Sequence, residues 1–173
     1  MKNVFFLLVI CFFSTAFSIS PKLEKKIDKA IIHYFETEEF SKELITIAAD
    51  QDAKVPSDFK ENLFKITDTS GTLGYAYLGN APSKTATFDY LILFDADFIV
   101  IKSKVLIYRE EYGGEIGSKR WLKQFNGKSG GSEIKFPQDI TPISGATISV
   151  RSMTNAINDV LQSIGTLQEN NVL

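Results

Sequence analysis

Ser144-Gly145-Ala146-Thr147 sets two hydroxyl residues around two very small ones, directly ahead of a segment whose apolar residues recur at helical spacing. A helix that starts here presents unpaired N–H groups and the positive end of its dipole, a combination that attracts anions and phosphate above all. Thr147 or Ser149 can cap such a helix, with Ser149 and Ser152 offering oxygens to the free N–H groups. Capping explains a hydroxyl residue at this point. It explains neither Gly145-Ala146 nor Arg151 in the first turn, where the dipole favours an acid. A bound phosphate explains all three, because small residues allow close approach and Arg151 pairs with its oxygens.

Other chemistry falls away. The chain has one histidine and one cysteine, so no His/Cys zinc cluster can assemble, and a Ser-His-Asp triad would have to use His33. His33 lies in a helix-like run with Leu23, Ile27, Ala30, Ile31 and Tyr34 on the apolar stripe, and reads as a surface or boundary residue. Gly127-Lys128-Ser129 lacks the first glycine of a phosphate-binding loop, whose place Leu122 takes, and reads as a flexible loop. Asp95-Ala96-Asp97 begins like a calcium loop, but Ile99 stands at the third acidic position, leaving a hairpin turn. Glu110 and Glu111, adjacent at a strand end, point to opposite sides and make no acid/base pair.

The elements that must position the Thr147 segment are of two kinds. From Pro21 to about Ala49 the pattern predicts a helical pair, the second helix carrying Phe40, Leu44 and Ile47. After a polar connector the period changes to two, and residues 62–67 with 72–79 predict a hairpin. A second, longer hairpin follows over 85–95 and 98–110, with Val105 and Ile107 facing a core and Lys102 and Lys104 facing water. A short helix over 118–125 carries Trp121, Leu122 and Phe125 as core residues. The last helix stripes Val150, Met153, Ile157, Val160, Leu161 and Ile164, stops at Gly165, and leaves a frayed tail. The fold class is α+β, an antiparallel sheet of hairpins packed by helices.

At 173 residues, 44% hydrophobic and 23% charged, the chain has the size and composition of one globular domain. A net charge of −2 provides no basic footprint for nucleic acid. Met1-Lys2-Asn3 and the apolar run Val4 to Phe17 read as a secretory signal peptide over 1–18, cut after Ser18 or after Ala16. The run is shorter than the roughly 20 residues of a spanning anchor, and Ile10 before Cys11 fits a lipobox poorly. Cleavage removes the only cysteine, so the mature chain is expected to act outside the cytoplasm without disulfides or thiolate metal sites.

With these elements in place, Ser144-Gly145-Ala146-Thr147-Ile148-Ser149 resembles the attachment motif of FMN-binding domain proteins, the family with the flavin subunits of the sodium-pumping NADH:quinone reductase and the Rnf complex. The likeness spans roughly Leu73 to Ile164 and includes the longer hairpin and Tyr112-Gly113-Gly114-Glu115. It implies FMN joined through its phosphate to the Thr147 hydroxyl by a flavin transferase. It also implies a cofactor site drawn from Ser144, Gly145, Ala146, Ser149 and Arg151, with Tyr112, Gly113, Gly114 and Glu115 near the flavin ring. Lys119 and Arg120 are then candidates to offset phosphate charge, and Trp121 is a second stacking candidate. The family's motif has an aspartate six residues before the threonine, where this chain has Thr141, the nearest acid being Asp139.

The organisation expected is a signal peptide (1–18), an N-terminal helical segment (19–60), an FMN-binding domain (61–167) and a tail (168–173). The function implied is an exported electron-transfer flavoprotein of the periplasm or cell surface, with a membrane or periplasmic redox partner and no catalytic acid, base or nucleophile. Two other readings use the same fold: a flavin-dependent reductase of a small exported acceptor, and a flavin-free binding module whose last helix is merely capped.

Overall fold

The computed structural model describes residues 19–173; the expected signal peptide, with Cys11 and both cleavage positions, lies outside the described residues. Ser20 caps α1 (Pro21–Phe35) by accepting from the Leu23 N–H, and Pro21 stands where its missing N–H costs nothing. The five strands are β1 (Ser41–Leu44), β2 (Leu63–Asp68), β3 (Gly71–Pro82), β4 (Thr87–Phe94) and β5 (Val100–Tyr108). They form one antiparallel sheet in the order β1-β2-β3-β4-β5. Each strand lies beside its sequence neighbour, as short connections favour. Short α2 (Ala49–Asp52) and α3 (Lys119–Leu122) and long α4 (Thr147–Glu169) complete the chain, giving the expected α+β class.

Helices cover both faces of the sheet. On β4, Phe88, Tyr90, Ile92 and Phe94 join the core beneath α4, while Leu91 and Leu93 join the core beneath α1. The α4 stripe Val150, Met153, Ile157, Val160, Leu161 and Ile164 is wholly buried, and Trp121, Leu122 and Phe125 pack into the same core. Burial of both faces corrects the expectation of a wet face on β5: Val105 packs with the α4 core and Ile107 with the α1 core. Lys102 sits over the Tyr34 ring at 5.0 Å, its stem covering apolar surface. Two register shifts between β4 and β5 break simple alternation there.

The second N-terminal helix is a strand. Glu36 adopts a left-handed conformation that ends α1, and Ser41–Leu44 then pair with Phe64–Thr67 of β2. The helical spacing of Phe40, Leu44 and Ile47 is coincidental, because Leu44 is 40% exposed while Ile47 is buried in the α4 core. Gly165 does not stop α4. It is buried inside the helix, where a Cβ would meet the Gly131 nitrogen at 2.5 Å, so its role is close approach of the 130–131 backbone. The tail is likewise anchored: Leu167 is buried, and the Val172 N–H donates to the Leu167 carbonyl. The Gly127-Lys128 loop is tied as well, with Val100 and Lys128, and Gly127 and Val100, bonded at 2.8 Å. His33 is exposed, and among the described residues no acidic, His or Cys group could hold a metal.

Candidate functional site

Three connections meet at one end of the sheet: the β3–β4 turn, the segment after β5, and the turn into α4. Together they line a cavity of about 320 Å³ with Lys84, Tyr108, Glu110, Tyr112 and the run Gly145 to Ser149. The turn into α4 is built by Gly145, whose φ of +79° suits glycine, and by the Ala146 N–H donating to the Ile143 carbonyl. Space beside Gly145 is open, with nothing within 4 Å of where a Cβ would lie.

Neither Thr147 nor Ser149 caps α4. The capping position falls to Ala146, without a side-chain hydrogen bond, and Thr147 is the exposed first helical residue. The N–H groups of Thr147, Ile148 and Ser149 meet no acceptor among the described residues; the first helical bond runs from the Val150 N–H to the Ala146 carbonyl. Ser149 is buried, its hydroxyl 3.0 Å from that of Tyr108. The Tyr108 hydroxyl also donates to the Tyr112 carbonyl at 2.9 Å, so one phenol joins β5, the glycine loop and α4.

That bridge brings together two segments set apart in the sequence. Gly113, at φ +83°, packs so tightly that a Cβ would fall 2.8 Å from the Tyr108 hydroxyl and 3.2 Å from the Ala146 Cβ. Tyr112 is 81% exposed and Ile148 51%, two large side chains left open at the cavity rim. Gly114 and Glu115 begin a single 3₁₀ turn, and Glu115 lines an adjoining cavity of about 690 Å³ with Arg120, Trp121, Thr141 and Pro142. Trp121 is core, as expected; its indole N–H donates to the Thr141 carbonyl at 2.8 Å. Thr141 in turn donates its N–H to Gln124, whereas the Asp139 carboxylate accepts from the Lys135 N–H and closes a local turn. Arg151 lies 5.2 Å over the Phe136 ring and does not line the cavity with Thr147. Ser144 is exposed in the turn, and Lys119 is exposed on α3.

Lys84 and Tyr108 line the cavity with no mark in the sequence, and Glu110, which makes no acid/base pair with Glu111, lines it too. Glu110 is the most heavily bonded of them: its carboxylate accepts from the Ser83 hydroxyl, the Thr85 N–H and hydroxyl, and the Ala86 N–H. These donors, the Thr85 N–H first, hold its pKa down to about 2. No single-sequence signal marks it, since its partners lie more than twenty residues upstream.

Uncapped N–H donors, open backbone and a neighbouring lysine suit a phosphate, and a cavity of this size accepts part of a nucleotide-sized group. Residues 84–162 match the FMN-binding domain family. Among solved structures the chain is similar to NqrC of Shewanella oneidensis, with a TM-score of 0.59 at 13% identity, covering 89% of this chain and 99% of that one. No curated protein matches the chain. The matched segment, a little under half of the chain, begins at the Lys84 turn and runs into α4.

Proposed function

We propose that this protein is an exported electron carrier whose FMN is held by a phosphoester to the Thr147 hydroxyl. The observation that carries the reading is Thr147 itself: exposed, uncapped, lining the cavity beside three partnerless N–H groups, inside the matched segment. Bound FMN supplies reversible electron transfer; the chain binds, orients and tunes it. The Thr147 hydroxyl is the attachment point. In the transferase reaction its oxygen bonds to the phosphorus of a flavin nucleotide, the donor's leaving group departs, and the hydroxyl proton goes to that group. The N–H groups of Thr147, Ile148 and Ser149 receive phosphate oxygens, and Gly145 leaves room for them. Tyr112 and Ile148, open at the rim, offer faces for the flavin ring.

The covalent link makes rebinding intramolecular, which serves a protein in dilute surroundings after export. Export rests on residues 1–18, and no helix among the described residues is long and apolar enough to cross a membrane. A flavin transferase is the maturation partner, and a redox protein at the membrane or in the periplasm exchanges electrons with the rim. The test is expression with a flavin transferase in an exporting host, followed by flavin fluorescence after denaturing electrophoresis. A fluorescent band is expected for the wild type and for Ser149→Ala, and none for Thr147→Ala. A band that survives Thr147→Ala overturns the assignment.

A further inference from the structure

We propose that Lys84 is the phosphate-recognition residue of this cavity and that Glu110 is the positioning residue that holds it there. The proposal rests on the reading of the Thr147 cavity as the FMN site. Among the residues lining that cavity Lys84 is the only cation, and among the described residues its ammonium makes no ion pair or hydrogen bond. None of the other candidate cations lines the cavity. Arg151 is stacked on Phe136, Arg109 is paired with Asp89, and Arg120 faces the adjoining cavity.

Lys84 stands at the corner of the tight turn between β3 and β4, closed by the Ser83 N–H donating to the Ala86 carbonyl at 2.8 Å. Glu110 grips this turn from the end of β5 through four donors: the Ser83 hydroxyl at 2.7 Å, the Thr85 N–H at 2.5 Å, the Thr85 hydroxyl at 2.9 Å and the Ala86 N–H at 3.0 Å. Every residue of the turn except Lys84 is thereby held. A carboxylate in an anion site would ordinarily repel the ligand. Here its oxygens are committed to the turn, and its charge is balanced within the cavity by Lys84 alone. Removing the lysine leaves a net negative wall; removing the carboxylate leaves a positive but unheld turn.

The two substitutions therefore separate charge from position. The assay is fluorescence titration of the unflavinylated full chain with FMN and with riboflavin, which differ by the phosphate. The Thr147→Ala background excludes covalent attachment, so the result stands whether or not Thr147 is the anchor. Lys84→Gln should weaken FMN about tenfold, the scale of one charge-assisted hydrogen bond, and leave riboflavin unchanged, while Lys84→Arg retains most of the affinity. Glu110→Ala should also weaken FMN selectively, although bare electrostatics predicts tighter binding. The proposal is overturned if the wild type shows no preference for FMN, if Lys84→Gln weakens both ligands equally or neither, or if Glu110→Ala strengthens FMN.

Discussion

Gly113 and Gly114 are adjacent, identical in type and unequal in what they tolerate. At Gly113 an alanine must hold φ near +83° and place its Cβ 2.8 Å from the Tyr108 hydroxyl and 3.2 Å from the Ala146 Cβ. The left-handed conformation costs about 1 kcal/mol for a residue with a Cβ. Relief of the clash displaces the Tyr108 hydroxyl and loses its bond to Tyr112 or Ser149, costing roughly another 1–2 kcal/mol. The stiffer unfolded chain returns at most about 1 kcal/mol. Gly113→Ala is therefore expected to destabilise by about 1–2 kcal/mol. For a chain of this size that lowers the melting temperature by roughly 2–8 °C.

Gly114→Ala gains the same unfolded-state term and meets nothing closer than the Tyr108 Cδ1 at 3.9 Å, so its melting temperature should stay level or rise. Calorimetry of the two variants reads the difference directly. Flavin incorporation with a transferase at a permissive temperature should fall in Gly113→Ala and hold in Gly114→Ala, because only the former disturbs the phenol that joins the loop to Ser149. If both variants melt together, or Gly114→Ala is the weaker, the packing argument at this site fails.

Gly165→Ala improves helix propensity by about 1 kcal/mol but drives a Cβ to 2.5 Å from the Gly131 nitrogen; net destabilisation is expected, and a melting temperature above wild type refutes it. The Glu110 carboxyl, lowered from 4.5 to about 2 by its loop donors, contributes stability that is complete above its unfolded value and is lost as pH falls from about 4.5 toward 2. Carbon NMR of that carboxyl should give a midpoint near the lower figure, and a midpoint at the ordinary value would show that the turn is not gripped. Burial raises the Tyr77 phenol to about 12 and pushes the Tyr90 phenol well above its ordinary value, so the native state should lose stability as pH climbs from 10 toward 12. Ultraviolet titration of the six tyrosines should then show two ionising late, and a single common midpoint near 10 would contradict their burial.

Where burial repeats with the period of the element, the sequence shows the fold. The α4 stripe and the β-branched and aromatic run of β4 announce themselves because core contact selects apolar residues at each turn or alternate position. β1 does not, because four residues at a sheet edge with one partner bury almost nothing, and a chance helical spacing outweighs them. Gly165 follows the same logic: a glycine near a helix end reads as a stop unless one knows that Gly130-Gly131 returns to lie against it. The Ser144–Thr147 segment is legible because it is contiguous. The Tyr108 bridge and the Glu110 grip are not, since each is a contact between polar side chains and groups brought near only by strand order.

The same distinction bears on how the site gets its charge. Arg151 lies four residues beyond Thr147, and proximity in sequence makes it the natural partner for a phosphate at the helix start. In the fold it is drawn away by the Phe136 ring, while Lys84, more than sixty residues upstream, arrives on the turn of a buried hairpin. A cation mounted on α4 would follow the helix end through its local motions. One mounted on the β3–β4 turn is fixed to two paired strands, of which β4 is almost wholly buried. A phosphate between them would then be gripped across two elements. Its retention would depend on the hairpin and on α4 together, and loss of either should release a noncovalent flavin while leaving an ester to Thr147 intact.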